Sequence, residues 1–169
     1  HALPQMNRSD GMPINAVFGF TSMLLKLSDD FIGNYFAVVF DAGRKTFRND
    51  IYPEYKANRG DPPEDLIPQF PMFRKATDAL GLISLEIEGY EADDIIATLS
   101  KFGEKKNLEI VIVSSDKDLM QLVKENVYLF DPMKNKKIDE IGVKEKFGVY
   151  PSKVVDVQSL AGDTSDNVP

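Results

Sequence analysis

Eight carboxylates stand at spacings that could gather divalent cations. Glu91, Asp93 and Asp94 lie in EGYEADD, Asp116 and Asp118 in SSDKD, and Asp163 and Asp166 in GDTSD, while Asp41 follows the apolar run that ends at Phe40. Glu91 and Asp94 are three apart and share a helix face, as Asp163 and Asp166 would in a helical turn. Asp116 and Asp118 can point one way if the backbone turns between them. Each cluster alone has an ordinary explanation: acids in a first helical turn offset the dipole by roughly 0.3–1 kcal/mol, and acids at strand ends suit turns. Agreement among the clusters is what points to a site. Every one falls where an α/β sheet brings it to the same rim, and carboxylates crowded there repel one another unless cations intervene.

Such a donor set suits hard cations, Mg2+ or Mn2+, and its size suits two ions roughly 3.5–4 Å apart. That is the equipment of phosphodiester hydrolysis, in which one ion activates water and the pair offsets charge on the attacking and leaving oxygens. The 169 residues include no cysteine, which excludes disulfide scaffolds, thiolate zinc sites and cysteine nucleophiles. The single histidine is His1, so any metal is held by oxygen or by His1. A formal charge of −7 argues against a generally basic, nucleic-acid-coating surface, yet bound cations reverse the local field and let an acidic protein engage phosphates.

A phosphate-facing element is available in residues 44–59. Arg44, Lys45, Arg48, Lys56 and Arg59 outnumber Asp50 and Glu54 there, and Phe47, Tyr52 and Tyr55 are interleaved with them. Cations can hold phosphates while rings stack on unpaired bases, at about 1–3 kcal/mol per stack. A solvated loop anchored by three aromatics would have the same composition.

These side chains need a scaffold, and strands alternating with helices predict a mainly parallel sheet covered on both faces, with sites at the strands' carboxyl ends. Apolar spacing predicts a helix over 15–27 and a strand over 35–40, and no periodicity persists over 44–61. Pro62 and Pro63 read as a helix start, with Pro68 and Pro71 breaking that helix before Gly81 stops it. Further strands are expected at 83–87, 109–114 and 127–130, with a brief one after the turn in DPMKNKKID. The helix expected over 91–105 carries Ile95, Ile96, Leu99 and Phe102 on one face. A short helix through Leu119 and Leu122, then helices over 142–147 and 152–160, complete the reading. Length predicts a single globular unit. With no apolar run long enough to cross a bilayer and no secretory signal, a soluble intracellular protein is expected.

EGYEADD, SSDKDLMQLV and GDTSDNVP, preceded by VVFDAGRKTFRNDIYPEYKANR, resemble the 5′ nuclease domain of bacterial DNA polymerase I over nearly the whole chain. The resemblance extends to flap endonucleases and PIN-like nucleases. It implies an α/β, PIN-like fold with a mainly parallel sheet flanked by helices and a partly helical arch region. It also implies metal-dependent hydrolysis at 5′ ends or 5′ flaps of DNA in replication and excision repair. By resemblance, Asp41, Glu91, Asp93, Asp94, Asp116, Asp118, Asp163 and Asp166 match the metal-binding acids, with Lys56, Asp41 and Asp94 in catalytic roles. Arg44, Arg48, Tyr55, Lys56 and Arg59 face DNA, and two Mg2+ ions are expected, with Mn2+ able to substitute.

The implied partner is DNA with a 5′ flap, nick or overhang, and the implied protein is a monomer in the bacterial cytoplasm, associated with the nucleoid and linked to a polymerase domain. Members of the family have a strand upstream of HALP that ends in another metal-binding aspartate, and a helix-hairpin-helix-like element beyond NVP. Residues 1–169 are therefore expected to be a catalytic domain fragment lacking both. A non-cleaving module that binds branched DNA is the alternative from a different class. A receiver-type phosphoacceptor domain is a third, though its chemistry leaves many of these acids unexplained.

Overall fold

The computed structural model describes residues 3–169, so His1 as a metal donor lies outside the described residues. The chain divides into two compact units, one formed by residues up to Phe40 with Gly60–Leu85 and the other by Asp41–Arg59 with Glu86–Pro169. Length alone predicts one globular unit; the buried apolar cluster of Ile112, Leu129 and Val143 lies within the second of these two. No helix among the described residues is long and apolar enough to cross a membrane.

In the first unit the helical apolar spacing builds α1 (Asn15–Asp30), which buries Leu24 and Leu27. The free N–H groups at its start are met by Gln69, whose Oε1 accepts from Ala16 and Val17 at 3.0 and 3.1 Å. Its Nε2 donates to Asn15 Oδ1 at 3.2 Å and to the Asp65 carbonyl at 2.8 Å. Gln69 is fully buried, and these bonds satisfy both its amide and the helix end. It closes the 3-10 helix Ile67–Gln69, which leads into α3 (Phe70–Ala79).

The helix therefore does not begin at Pro62 and Pro63. Pro68 and Pro71, expected to break it, each lie in the first turn of a helical segment, where the missing N–H costs no internal bond. Gly81, at φ 70°, follows the end of α3 as expected. Phe20 packs against Phe40 and Phe73, with ring centroids 6.1 and 5.0 Å apart. β1 (Ala37–Val39) runs parallel to β2 (Ile83–Leu85), Ala37 opposite Ile83.

The second unit is built on β3 (Ile110–Val113), β4 (Val127–Asp131) and β5 (Lys136–Ile138), with β3 and β4 parallel and β5 antiparallel to β4. The strands are mainly parallel, as predicted, but form two separate sheets, β1–β2 and β3–β4–β5. Ile112, Leu119, Met120, Val123, Val127, Leu129, Ile138, Val143 and Val154 make the core. It is closed by α4 (Ala92–Glu104), the 3-10 helix Asp118–Leu122, α5 (Glu140–Phe147) and α6 (Val154–Ala161). α5 starts ahead of the expected Gly142 because Asp139 Oδ1 accepts the N–H groups of Ile141 and Gly142 at 3.1 and 3.0 Å.

Two further expectations are corrected. α4 buries Ile95, Ser100 and Gly103, whereas Leu99 and Phe102 are 41% and 62% exposed. Small residues set that contact: a Cβ on Gly103 would stand 2.9 Å from Ile110 Cδ1, so the helix packs where its side chains are least bulky. The segment expected to be irregular holds α2 (Phe47–Ile51). Five residues are too few to show a period, but Asn49 Oδ1 accepts the Thr46 N–H at 2.9 Å and closes the turn.

Candidate functional site

The acidic clusters sit at the ends of elements, and they are met by side chains of the basic segment and by Lys117 and Gln158. Glu91 is the N-cap residue of α4, with Asp93 and Asp94 in its first turn. Asp41 Oδ1 accepts the Ala92 N–H at 2.7 Å, so a fourth acid faces the same helix start. Asp116 follows β3, and its Oδ1 accepts the Asp118 N–H at 2.9 Å, which is the turn between the two aspartates that the sequence required.

Asp163 and Asp166 do not share a helical turn. They lie in a loop closed by Asp163 and Val168, whose N–H groups donate to each other's carbonyls at 2.9 and 2.8 Å. That closure sends the two carboxylates to different partners: Asp163 meets Lys117 Nζ at 2.9 Å, and Asp166 meets Arg59 and Tyr55.

Tyr55 and Lys56 join two of the clusters. The Tyr55 hydroxyl donates to Glu91 Oε2 at 3.1 Å and Asp166 Oδ2 at 3.0 Å. Lys56 Nζ stands 2.8 Å from Glu91 Oε2 and 3.9 Å from Asp166 Oδ2. Burial first, and the Glu91 and Asp166 charges with it, hold the Tyr55 phenol far above its usual range, so it remains a donor at neutral pH. Backbone contacts reinforce the junction: the Lys56 N–H donates to the Asp166 carbonyl at 2.9 Å, Asn58 Nδ2 to the Thr164 carbonyl at 2.9 Å, and Asn167 Nδ2 to the Glu54 carbonyl at 2.8 Å.

Asp93 is the most perturbed carboxyl of the site. Burial, then the charges of Asp116, Glu91 and Asp41, push it up to about 6, with Lys56 opposing. Asp118 is also raised by burial, against a hydrogen bond donated by Gln158 to its Oδ1. Asp163 and Asp94 are held low by the hydrogen bonds of Lys117 and Arg48 respectively. Among the described residues no three His, Asp or Glu side chains are arranged to hold a metal ion as they stand. Ammonium and guanidinium groups meet the carboxylates instead. The donor chemistry still fits divalent cations: oxygen ligands only, and at Asp93 a carboxyl that burial, and then neighbouring negative charge, keeps from ionising freely.

Of the predicted DNA-facing residues, Tyr55, Lys56 and Arg59 come together at Glu91 and Asp166. Arg44 is exposed. Arg48 is committed to Asp94 through two 2.8 Å bonds. Sequence reasoning missed Lys117 and Gln158. Lys117 lies between Asp116 and Asp118, a position that could have drawn attention; nothing in the spacing marked Gln158, which reaches Asp118 from forty residues away.

Residues 1–148 match the family of the 5′-3′ exonuclease, N-terminal resolvase-like domain, and the chain belongs to that family. It is 52% identical to DNA polymerase I of Rhizobium leguminosarum, covering all of this chain and 17% of the relative. It is 44% identical to a 5′-3′ exonuclease of Aquifex aeolicus, covering 99% of this chain and 58% of that protein. The chain thus spans about a sixth of the first relative and rather over half of the second. The fold is similar to that of the bacteriophage T5 flap endonuclease solved as a pseudo-enzyme-product complex with DNA and metal ions. That match has a TM-score of 0.75 at 24% identity, over 89% of this chain and 59% of the other. Fold and family agree with the PIN-like 5′ nuclease architecture expected from the motifs.

Proposed function

We propose that this chain is the catalytic part of a 5′ nuclease that hydrolyses phosphodiester bonds at 5′ ends or 5′ flaps of DNA, in replication and excision repair. The observation that carries the reading is the junction at Glu91 and Asp166, where Tyr55, Lys56 and Arg59 of the basic segment meet two acidic clusters. A nuclease needs that pairing of a phosphate-binding element with a carboxylate site. The names of the relatives and the T5 complex with DNA and metal ions support it.

Glu91, Asp93, Asp116 and Asp118 would hold two Mg2+ ions, for which Mn2+ substitutes, with Asp41, Asp163 and Asp166 acting directly or through water. Ions held there would supply an activated water and offset charge on the leaving oxygen. Lys56, turned from Glu91 toward the scissile phosphate, stabilises the charge that builds there, and Tyr55 and Arg59 orient the strand. Arg44 adds an exposed cation for the backbone. The substrate is DNA with a 5′ flap, nick or overhang, bound by a monomer in the bacterial cytoplasm at the nucleoid, with a polymerase domain in the parent protein.

A strand and a helix-hairpin-helix-like element outside residues 1–169 complete the domain in this reading. One edge of β1 and one edge of β3 lack a strand partner among the described residues, and either could pair with such a strand. The test is cleavage of a 5′-labelled flap duplex in Mg2+, in chelator, and with Asp116→Asn plus Asp118→Asn. Release of short 5′ products in Mg2+ alone, lost in the variant, is expected; cleavage that persists in chelator would refute the metal-dependent reading.

A further inference from the structure

Asp94 differs from its neighbours in what it holds. Arg48 Nη1 donates to its Oδ2 and Nη2 to its Oδ1, both at 2.8 Å. Oδ2 also accepts the backbone N–H of Glu91 at 3.0 Å. A fork-to-fork guanidinium pair fixes both groups in one plane, which a single contact cannot do. The far side of Arg48 is occupied as well: its Cζ lies 4.7 Å from the Phe47 ring centroid and 6.0 Å from that of Tyr55. Phe47 in turn packs against Tyr90, centroids 5.6 Å apart, and its N–H donates to the Gly89 carbonyl at 3.0 Å. The segment carrying Tyr55 and Lys56 and the segment carrying Glu91 and Asp93 are thus joined at Arg48 and Asp94.

We propose that Arg48 and Asp94 are a positioning pair that locks α2 to the first turn of α4, setting Glu91 where Tyr55 and Lys56 reach it. The inference rests on the nuclease reading and revises two roles that the family resemblance implies: Asp94 is not a metal donor, and Arg48 is not a phosphate ligand. Both carboxylate oxygens are spent on the guanidinium, and the guanidinium is spent on the carboxylate and two rings. The pair acts through Glu91, Tyr55 and Lys56 and touches neither ion nor DNA.

The test compares wild type, Arg48→Ala, Asp94→Ala, the double variant and Arg48→Lys, which keeps the charge but not the fork. Single-turnover cleavage of a labelled 5′ flap, flap binding in Ca2+ across a salt series, and Mn2+ calorimetry are measured on each. Each single alanine variant should lose roughly 100-fold in cleavage, the scale expected when reacting groups are misplaced by about 1 Å. The double variant should lose no more than either single one. Mn2+ stoichiometry and the salt slope of binding should stay as in wild type, and Arg48→Lys should fall in turnover with flap affinity retained, even if an alanine variant folds poorly.

Losses that multiply in the double variant, an ion missing from Asp94→Ala, or a salt slope lowered by about 0.9 in Arg48→Ala would each overturn the pair. If wild type cleaves while any of these appears, this inference alone fails. If wild type neither cleaves nor binds Mn2+, the nuclease reading fails and takes the pair with it.

Discussion

Lys56 Nζ rests 2.8 Å from Glu91 Oε2, and the residue holds this contact from a left-handed backbone, φ 57°. That conformation is unfavourable for a side chain with a Cβ. It is held at both ends, by the ammonium on Glu91 and by the Lys56 N–H on the Asp166 carbonyl at 2.9 Å. A lysine placed against candidate metal ligands by the tertiary structure is suited to follow charge from carboxylate to phosphate.

Lys56→Met should therefore lower turnover far more than DNA affinity. Loss of one preorganised charge at a reacting phosphate costs about 100- to 1000-fold in rate, whereas one cation among several changes binding modestly. Single-turnover cleavage beside flap binding in Ca2+ measures both; equal losses would show that Lys56 only tethers the strand.

The crowding at Asp93 predicts a pH-dependent stability. Its folded-state carboxyl is raised from 3.8 to about 6, so the folded protein binds that proton more tightly than the unfolded chain. The penalty is absent below about pH 4, grows as pH rises, and is fully present above about pH 6. In chelator at pH 7.5, Asp93→Asn should be more stable by about 1 kcal/mol after allowance for solvent screening, or roughly 2–4 °C in Tm. At pH 4 the two melting curves should coincide. A variant less stable than wild type at pH 7.5 would mean that Asp93 is not strained by its neighbours.

Metal binding should appear as stability. Ligand bound to the folded form adds RT ln(1 + [L]/Kd), about 2.7 kcal/mol at a hundredfold excess over Kd. Wild type titrated with Mn2+ should show a saturable rise in Tm that Asp116→Asn with Asp118→Asn lacks. Parallel rises in both proteins would place the ion elsewhere.

Gln158→Leu tests the residue that the spacing did not mark. Its amide donates to Asp118 and opposes the upward shift that burial imposes there. Without it, Asp118 should hold its proton to higher pH, and a protonated carboxyl competes with metal. Mn2+ affinity measured by calorimetry should fall more at pH 6 than at pH 8; an equal loss at both would indicate a packing effect.

Most elements are legible in the amino-acid sequence alone, and the acidic clusters stand out there as candidates. Alternating short apolar runs and amphipathic stretches define β1 to β4 and α1, α4 and α6 because burial imposes periods of 2 and 3.6 on the chain. Acids at the ends of those elements mark a candidate site, since the chain leaves its regular hydrogen bonding there. Expectation and structure part where local pattern is weak or ambiguous. α2 is too short for periodicity. Pro68 and Pro71 read as breakers because a proline's effect depends on whether it sits in a helix interior or its first turn. Hydrophobicity points Leu99 and Phe102 inward, while Gly103 against Ile110 decides the contact by size.

The sequence by itself determined the inventory: oxygen donors without cysteine, a basic aromatic segment, and the motifs that carry the family. Only the tertiary structure decided who pairs with whom. Asp93 and Asp94 are adjacent in the chain, yet one is crowded by carboxylates and the other is claimed by Arg48, 46 residues away. Asp163 and Asp166 likewise part, toward Lys117 and toward Arg59 with Tyr55. Spacing constrains side chains within one turn or one strand. Partners contributed by distant segments depend on how the backbone closes, and here that closure distributes the cations among the acids.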